Sequence, residues 1–403
     1  MNLGLVSSFR PEVDPGCAAL KLIDRLSSVC LEVIKGLHGL CARRMHSPAR
    51  VTEVRASSHP QELLDPFVSV VVLAEEPRPY LRVAIESVLA QDLPRTRFEL
   101  LAVLGFKDPS IEAYLLSIGA RPIFAPRTSV AVKMVLATEQ SRAPILAFLD
   151  DDDMFEPTRL RTIVDAFQSN LRLGLFRNQQ TIIGSDGGPL APSLIGGPGG
   201  RRWNARSPLI IDGGHKQAGL DRITIQRPDF NDSSLAIRRD LVEQAIPYLR
   251  RLEGRADTLL FFVAACSELS IQLDPRRLTR YRVHQDNLSL AGGGTALQRM
   301  DRLVRYARQI QADYNVTREF VRAHDCPSAL RLIDARIAMA RLILAARESG
   351  VPRRTFVRLI AGLLRYWRTY PVREDLQGML SSGLFIVSPS LGRAVYEHRL
   401  GVR

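Results

Sequence analysis

The chain reads as an α/β protein with a doubly wound sheet, helices on both of its faces, an N-terminal helix before it and an α-helical region after it. Apolar, β-branched runs alternate with amphipathic stretches from residue 67 to about residue 283, the signature of strand–helix alternation. Two of those runs are apolar almost throughout, as strands buried on both faces are. One of them, ILAFL at 145–149, leads directly into Asp150-Asp151-Asp152-Asp153. That puts an acidic cluster at a strand's carboxyl end, where such sheets bind ligands.

In chain order, residues 17–45 place Leu22, Leu26, Val29, Val33, Leu37 and Leu40 on one helical stripe. Residues 46–65, with Pro48 and Pro60, read as a linker. Phe67–Ala74 (FVSVVVLA) is the first strand, followed by a helix with Leu81, Ile85, Val88 and Leu89 on one face. Then come a strand at Phe98–Leu104, a helix at Ile111–Ile118, a short strand at Arg121–Phe124, a helix at Val130–Gln140 and the strand at Ile145–Leu149. Residues 184–200 hold seven glycines and three prolines and form no regular element, either a surface loop or a flap over a site. Beyond them Ser233–Arg239 reads as a strand, Thr258–Ser267 as a helix and Leu278–Val283 as the last strand. From about residue 296 the pattern is helical; residues 329–348, with Arg331, Arg336, Arg341 and Arg347, form its clearest amphipathic segment. The expected divisions are 1–65, 66–290 and 291–403.

The 403 residues carry 55 basic and 42 acidic side chains, a net charge of +13, with 46% hydrophobic residues, which excludes wholesale disorder. The excess is uneven: residues 296–403 hold 19 arginines, no lysine and nine acids. This marks either an arginine habit on exposed surfaces or a face toward an anionic partner; no nucleic-acid-binding motif accompanies it. No apolar run approaches the roughly 18–20 residues of a membrane span, and the N-terminal residues lack a signal-peptide pattern. Five cysteines (17, 30, 41, 266, 326) without a C-x-x-C pair point to a reducing, cytoplasmic setting.

Four consecutive carboxylates repel one another, and a hard divalent cation such as Mn²⁺ or Mg²⁺ relieves the repulsion. Alternation on an extended chain lets Asp150 and Asp152 act together, with Asp153 just beyond; the other reading is a solvated turn in which Asp153 caps the next helix. Asp257, just ahead of an apolar helix, reads on its own as an N-cap.

VSVVVLAEEPRPYLRVAIESVLAQDLP, FELLAV and ILAFLDDDDMFEPTRL together resemble the family 2 glycosyltransferases of GT-A fold, with their opening strand, A-I-x-S-V-L-x-Q helix and F-L-D-x-D-D metal motif. NDSSLAIRRDLVE, EGRADTLLFF and YRVHQDNLS follow in the family's order. The resemblance covers residues 67–289. It implies transfer of a sugar, with inversion, from a nucleotide-diphosphate donor to a hydroxyl of a polysaccharide or lipid-linked glycan. It further implies Mn²⁺ or Mg²⁺ held by Asp152, Asp150 and Asp153 with His284, and Asp257 as general base, with Glu253 a substitute. Glu76, Asp108, Lys133, Asp150 and Asp151 would form the donor side; Lys133 alone reads equally as a helix-surface lysine, and Arg238 and Arg239 either steer an anionic donor or sit on a solvated edge. Where relatives carry Asp-Asp-Gly-Ser after the second strand, this chain has Gly105-Phe106-Lys107-Asp108, which leaves the nucleotide base open. Two other readings are a non-catalytic relative, a binding or scaffold protein with a degenerate base site, and a sugar nucleotidyltransferase, whose glycine-rich loop is absent. The arginine-rich helices either pack on the core or lie on an anionic inner membrane leaflet as a peripheral anchor.

Overall fold

The computed structural model describes residues 66–126, 128–190, 207–213, 220, 231–284, 295–366 and 383–399. The expected helix at 17–45, the linker, Cys17, Cys30 and Cys41, residues 191–200 of the glycine-rich segment and residues 285–289 of the last motif lie outside the described residues. The chain forms two compact units, one of residues 62–351 and 358–372, the other of residues 1–61, 352–357 and 373–403. In the latter, Phe356 stacks on Phe385 with 4.7 Å between ring centroids.

The first unit is built on one mixed sheet, of nine strands among the described residues. Its parallel part comprises β1 (Val68–Ala74), β2 (Phe98–Leu104), β3 (Arg121–Phe124) and β4 (Ile145–Asp150), in the order β3-β2-β1-β4. Beside β4 the sheet continues through β8 (Leu235–Arg238), β6 (Leu173–Ile183), β9 (Ser270–Arg282) and β5 (Met154–Phe155); β7 (Leu209–Ile211) also pairs with β9. β8 runs antiparallel to both β4 and β6, whereas β6 and β9 are parallel.

Every residue of β1 is buried, and alternate side chains enter opposite cores. Val70 and Val72 pack with Ile85 and Val88 of α1 (Tyr80–Leu89). The same core takes in Leu160 and Ile163, which lie on a helix further along the chain. Val71 and Leu73 pack on the other face with Met134 and Val135. In chain order the helices after α1 are α2 (Pro109–Ser117), α3 (Val130–Gln140), α4 (Arg159–Ser169), α5 (Arg239–Leu249) and α6 (Ala256–Cys266). They are followed by α7 (Ala296–Ala323) and α8 (Pro327–Arg347). The expectation of a doubly wound α/β sheet is therefore met.

α6 is apolar on all sides because it is enclosed on all sides. Leu259 and Phe262 share their core with Phe320 and Val321 of α7 and with Leu332 and Ile333 of α8. The first part of the arginine-rich region is thus core-forming. Arg318 of α7 and Asp334 of α8 join the two helices at 2.5 Å. Arg336 is buried rather than exposed, with its guanidinium 5.6 Å from the Phe262 ring centroid; Arg331 and Arg341 keep the solvent face the stripe predicts.

Among the elements that differ from expectation, β6 and β9 bear on the site. β6 carries no sequence expectation because Arg177, Asn178 and Gln179 interrupt its apolar pattern, yet all three are buried. β9 starts eight residues before the strand expected at Leu278, since Ser270–Asp274 pairs with β6 before a register shift at Asn178–Gln180.

At the amino edge of β1 and β2, Glu99 accepts from the Ser69 hydroxyl (2.5 Å), the Arg142 backbone N–H (2.6 Å) and the Arg121 guanidinium (2.6 Å). Burial opposes ionisation there, but these donors together with the Arg142 side chain outweigh it and hold the carboxyl below its ordinary range. The resulting stability is full above about pH 4.3, the unfolded value, and is lost as pH falls through the lower folded one. Glu99→Gln is expected to lower unfolding free energy by about 2 kcal/mol at neutral pH. Its thermal midpoint should also drop less than the parent's between pH 6 and pH 3, as calorimetry would show.

Candidate active site

β4 is in register with β1, Asp150 lying opposite Leu73, and the Asp151 N–H donates to the Leu73 carbonyl (3.1 Å). The chain then turns back, with the Asp153 N–H donating to the Asp150 carbonyl (3.2 Å). This turn brings ligand oxygens of Asp150, Asp152 and Asp153 within 4.8 Å of one another. Helix α4 begins only at Arg159, so Asp153 caps no helix.

Motif residues of α1 and of the segment just after it brace the turn from behind. The Ser87 hydroxyl accepts the Phe155 N–H (3.0 Å), and the Gln91 amide bonds the Glu156 carbonyl (2.8 Å) and the Leu160 N–H (2.8 Å). Beneath it runs a buried polar chain. Arg159 Nε donates to Asn178 Oδ1 (3.1 Å), Asn178 Nδ2 to the Thr279 hydroxyl (2.9 Å), and that hydroxyl to the Ser233 carbonyl (3.0 Å). The Ser233 hydroxyl accepts the Asp150 N–H (3.0 Å). Asn178, one of the polar residues that obscure β6 in the sequence, thus belongs to the chain that anchors the acidic turn. Burial lowers the Arg159 pKa to about 9.

His284 Nε2 lies 2.9 Å from Asp152 Oδ2, and its ring stands 5.3 Å from Tyr80. Arg282, two residues earlier, donates its backbone N–H to Asp153 Oδ1 (2.8 Å) and its Nε to the Asp152 carbonyl (2.7 Å). Arg78 Nη1 sits 3.7 Å from both Asp151 and Asp152. Sequence reasoning missed Arg78 and Arg282, although Arg282 belongs to the same Y-R-x-H stretch as His284.

Lys133, at 1% exposure, is no helix-surface lysine: its Nζ bonds the Ala74 carbonyl (3.0 Å) and the Glu75 carboxylate at the end of β1. Glu76 is exposed on the following turn. Asp108 caps α2, its Oδ1 accepting from the Ser110 and Ile111 N–H groups (2.8 and 3.2 Å). Arg238 and Arg239 do not join the site. Arg238 lies opposite Ile145, at the amino end of β4, and donates to the Leu173 carbonyl (2.8 Å); Arg239 donates to the Ser141 carbonyl (2.8 Å).

Asp257 is the second residue of α6 and 4% exposed, and Arg255 occupies the cap position, so the N-cap reading does not hold. Its Oδ2 accepts the Asn231 N–H (2.9 Å) and its Oδ1 the Thr258 N–H (2.7 Å). Asn231 Nδ2 in turn donates to Asp153 Oδ2 (3.1 Å), so Asp257 and the aspartate turn share one buried neighbourhood. Asp232, also missed, lies beside them with a buried Oδ1 that has no hydrogen-bond partner.

Burial, then the neighbouring aspartates with Asp232 foremost, raises the Asp150 carboxyl well above its ordinary range. Burial and Asp152 push Asp153 up to about 8. Asp151 rises to about 7 through burial and Asp152, against the pull of Arg78 and Lys133. A cluster that resists full ionisation on its own suits a hard cation with oxygen ligands, and the buried, unpartnered Asp151 Oδ2 adds to the uncompensated acceptor capacity.

Residues 68–243 match the family described as Glycosyl transferase family 2. The chain carries a family 2 glycosyltransferase domain. The match includes the aspartate turn and ends before Asp257 and His284, whose place in the site rests on geometry. The mixed sheet with helices on both faces is the α/β arrangement that the sequence resemblance implies. Similar solved structures include S. aureus TarS residues 1–349 with UDP-GlcNAc (13% identity, 80% of this chain and 92% of that one, TM-score 0.46). The same fragment with UDP (12%, 80% and 92%, 0.45) and the longer TarS chain (13%, 79% and 55%, 0.44) also align. No curated protein matches the sequence.

The start of α6, beyond the matched span, is held from α7. Asp313, 1% exposed, accepts the backbone N–H groups of Glu253 (3.1 Å), Gly254 (3.0 Å) and Arg255 (3.0 Å). Glu253 is therefore drawn in by its backbone toward α7. Asp313→Ala strands three donors at a largely buried junction and is expected to cost about 2–3 kcal/mol in urea unfolding.

Proposed function

We propose that the chain is an inverting, divalent-metal-dependent glycosyltransferase that moves a sugar from a nucleotide-diphosphate donor to a hydroxyl acceptor. The observation that carries this is the meeting of the Asp150–Asp152–Asp153 cluster and Asp257 in one buried neighbourhood, joined through Asn231. Asp152, Asp150 and Asp153 would hold Mn²⁺ or Mg²⁺, with His284 as a further ligand or as the group that orients Asp152. Such an ion neutralises the charge that grows on the leaving diphosphate.

The chain's own residues do the rest. Asp257 takes the proton from the acceptor hydroxyl as its oxygen forms a bond to the anomeric carbon. The bond from that carbon to the diphosphate oxygen breaks on the opposite side, and the nucleotide diphosphate departs, so configuration inverts. Asp150 and Asp151 line the donor side, and Lys133 fixes the β1 turn beneath them. Glu76 and Asp108, on the turns after β1 and β2, are the groups assigned to the base and ribose. The acceptor is assigned to the polysaccharide or lipid-linked class, with the arginine-rich C-terminal region meeting an anionic inner leaflet. Its 19 arginines against nine acids support that placement.

Nucleotide release should be followed across UDP-, GDP- and TDP-sugars with Mn²⁺ or Mg²⁺. EDTA is expected to abolish turnover and Mn²⁺ to restore it. Asp257→Asn should lower kcat by about 10²–10⁴-fold, with little change in donor KM, while Asp152→Asn should in addition weaken the dependence on Mn²⁺. Turnover at the parent rate in both variants would sink the proposal. For the membrane assignment, the full chain should float with phosphatidylserine vesicles at low salt and be released at high salt; failure to float at low salt removes it.

A further inference from the structure

We infer that Asn231 is a positioning residue that ties the metal-side carboxylate Asp153 to the general base Asp257 and sets the separation between them. The inference rests on the roles just proposed for those two aspartates and adds the device that registers one against the other.

Asn231 reaches the two carboxylates through different atoms. Its side-chain Nδ2 donates to Asp153 Oδ2 (3.1 Å), and its backbone N–H donates to Asp257 Oδ2 (2.9 Å). The amide orientation is fixed by its third bond, because Oδ1 accepts the Ser234 hydroxyl (3.2 Å) and so turns Nδ2 toward Asp153. The other oxygen of each aspartate is held by a different backbone group, Asp153 Oδ1 by the Arg282 N–H of β9 (2.8 Å) and Asp257 Oδ1 by the Thr258 N–H (2.7 Å). Asn231 is the element common to both.

The backbone supports the same conclusion. Asn231 is buried and adopts φ 74° and ψ 121°, a positive-φ conformation that is costly for any residue with a Cβ. A glycine would hold that backbone without strain but has no amide to offer Asp153. The position combines a conformation that favours glycine with a side chain that only asparagine supplies in this orientation. Such strain persists where the surroundings over-determine the residue.

The two arms can be separated. Asn231→Gly keeps the backbone N–H aimed at Asp257 and removes the bond to Asp153. Asn231→Ala removes that bond but keeps a Cβ, so the strained backbone loses the amide contacts that hold it and its N–H is free to shift away from Asp257. Binding of Mn²⁺ alone, read from the EPR signal of the free ion, should weaken by about tenfold in both variants, the worth of one hydrogen bond to a charged group. With donor and Mn²⁺ saturating, kcat should fall less than about threefold in Asn231→Gly and about tenfold further in Asn231→Ala, with donor KM unchanged between the two. Thermal melts of each variant check folding, and Asn231→Ser, which also carries a Cβ, replaces Asn231→Ala if that variant does not fold. Parent-like Mn²⁺ binding in Asn231→Gly, or equal kcat in the Gly and Cβ-bearing variants, overturns the inference. Asp257→Asn measured alongside keeps the two readings apart: if it turns over normally the base assignment fails, while Mn²⁺ binding by Asn231→Gly still decides the link to Asp153.

Discussion

The arrangement of this domain follows from one electrostatic constraint: a strand buried on both faces delivers four consecutive carboxylates into a region with little water. In the absence of compensation such a cluster resists ionisation, and the raised carboxyls of Asp150, Asp151 and Asp153 express that resistance. The surrounding elements supply donors one at a time. Arg282 and Asn231 address Asp153, His284 and Arg78 address Asp152, and Ser233 holds the Asp150 backbone. None of these cancels the excess of negative charge, and that excess is what makes the turn suited to a cation.

Holding this turn in place recruits residues from across the chain. Ser87 of α1 and Gln91 just after it brace the turn; Asn178 of β6 and Thr279 of β9 anchor it from below, through Ser233. On the other side, α7 grips the loop ahead of α6 through Asp313, and α6 carries Asp257. The working unit therefore extends well past residue 243, where the family match ends. Part of the arginine-rich region serves as scaffold for the site, with Arg336 in the core as the clearest sign of it.

The parallel half of the sheet was legible in the sequence because each of its strands is a continuous apolar run, a pattern that little else imitates. The aspartate turn was legible because ILAFL fixes the direction from which it emerges, and His284 because its motif places it near that turn. β6 was not legible: Arg177, Asn178 and Gln179 are buried by pairing with other polar groups, and hydropathy cannot distinguish such residues from a loop. Asn231, Asp232 and Arg78 were hidden for a related reason, since their roles depend on partners 70 or more residues away or on a backbone angle. Lys133 was ambiguous until burial placed it under the β1 turn, and Arg238 and Arg239 were left between a donor-side and an edge position because their motif fixes neither the direction of β8 nor the sheet edge they reach.

The short strand β5 leaves the aspartate turn at Met154 and finds its partner at Thr279 and Arg280 of β9. A chain emerging from the ribosome makes the acidic turn long before it makes that partner, and Arg282, which holds Asp153, comes later still. Until then the carboxylates stay hydrated and ionised, and β4 can pair with β1 without burying them. Closure of the sheet by β9 is then the step that dehydrates the cluster, so a long-range and hence slow pairing coincides with the assembly of the site. A partly made chain would hold the parallel strands with its acidic turn still open to water.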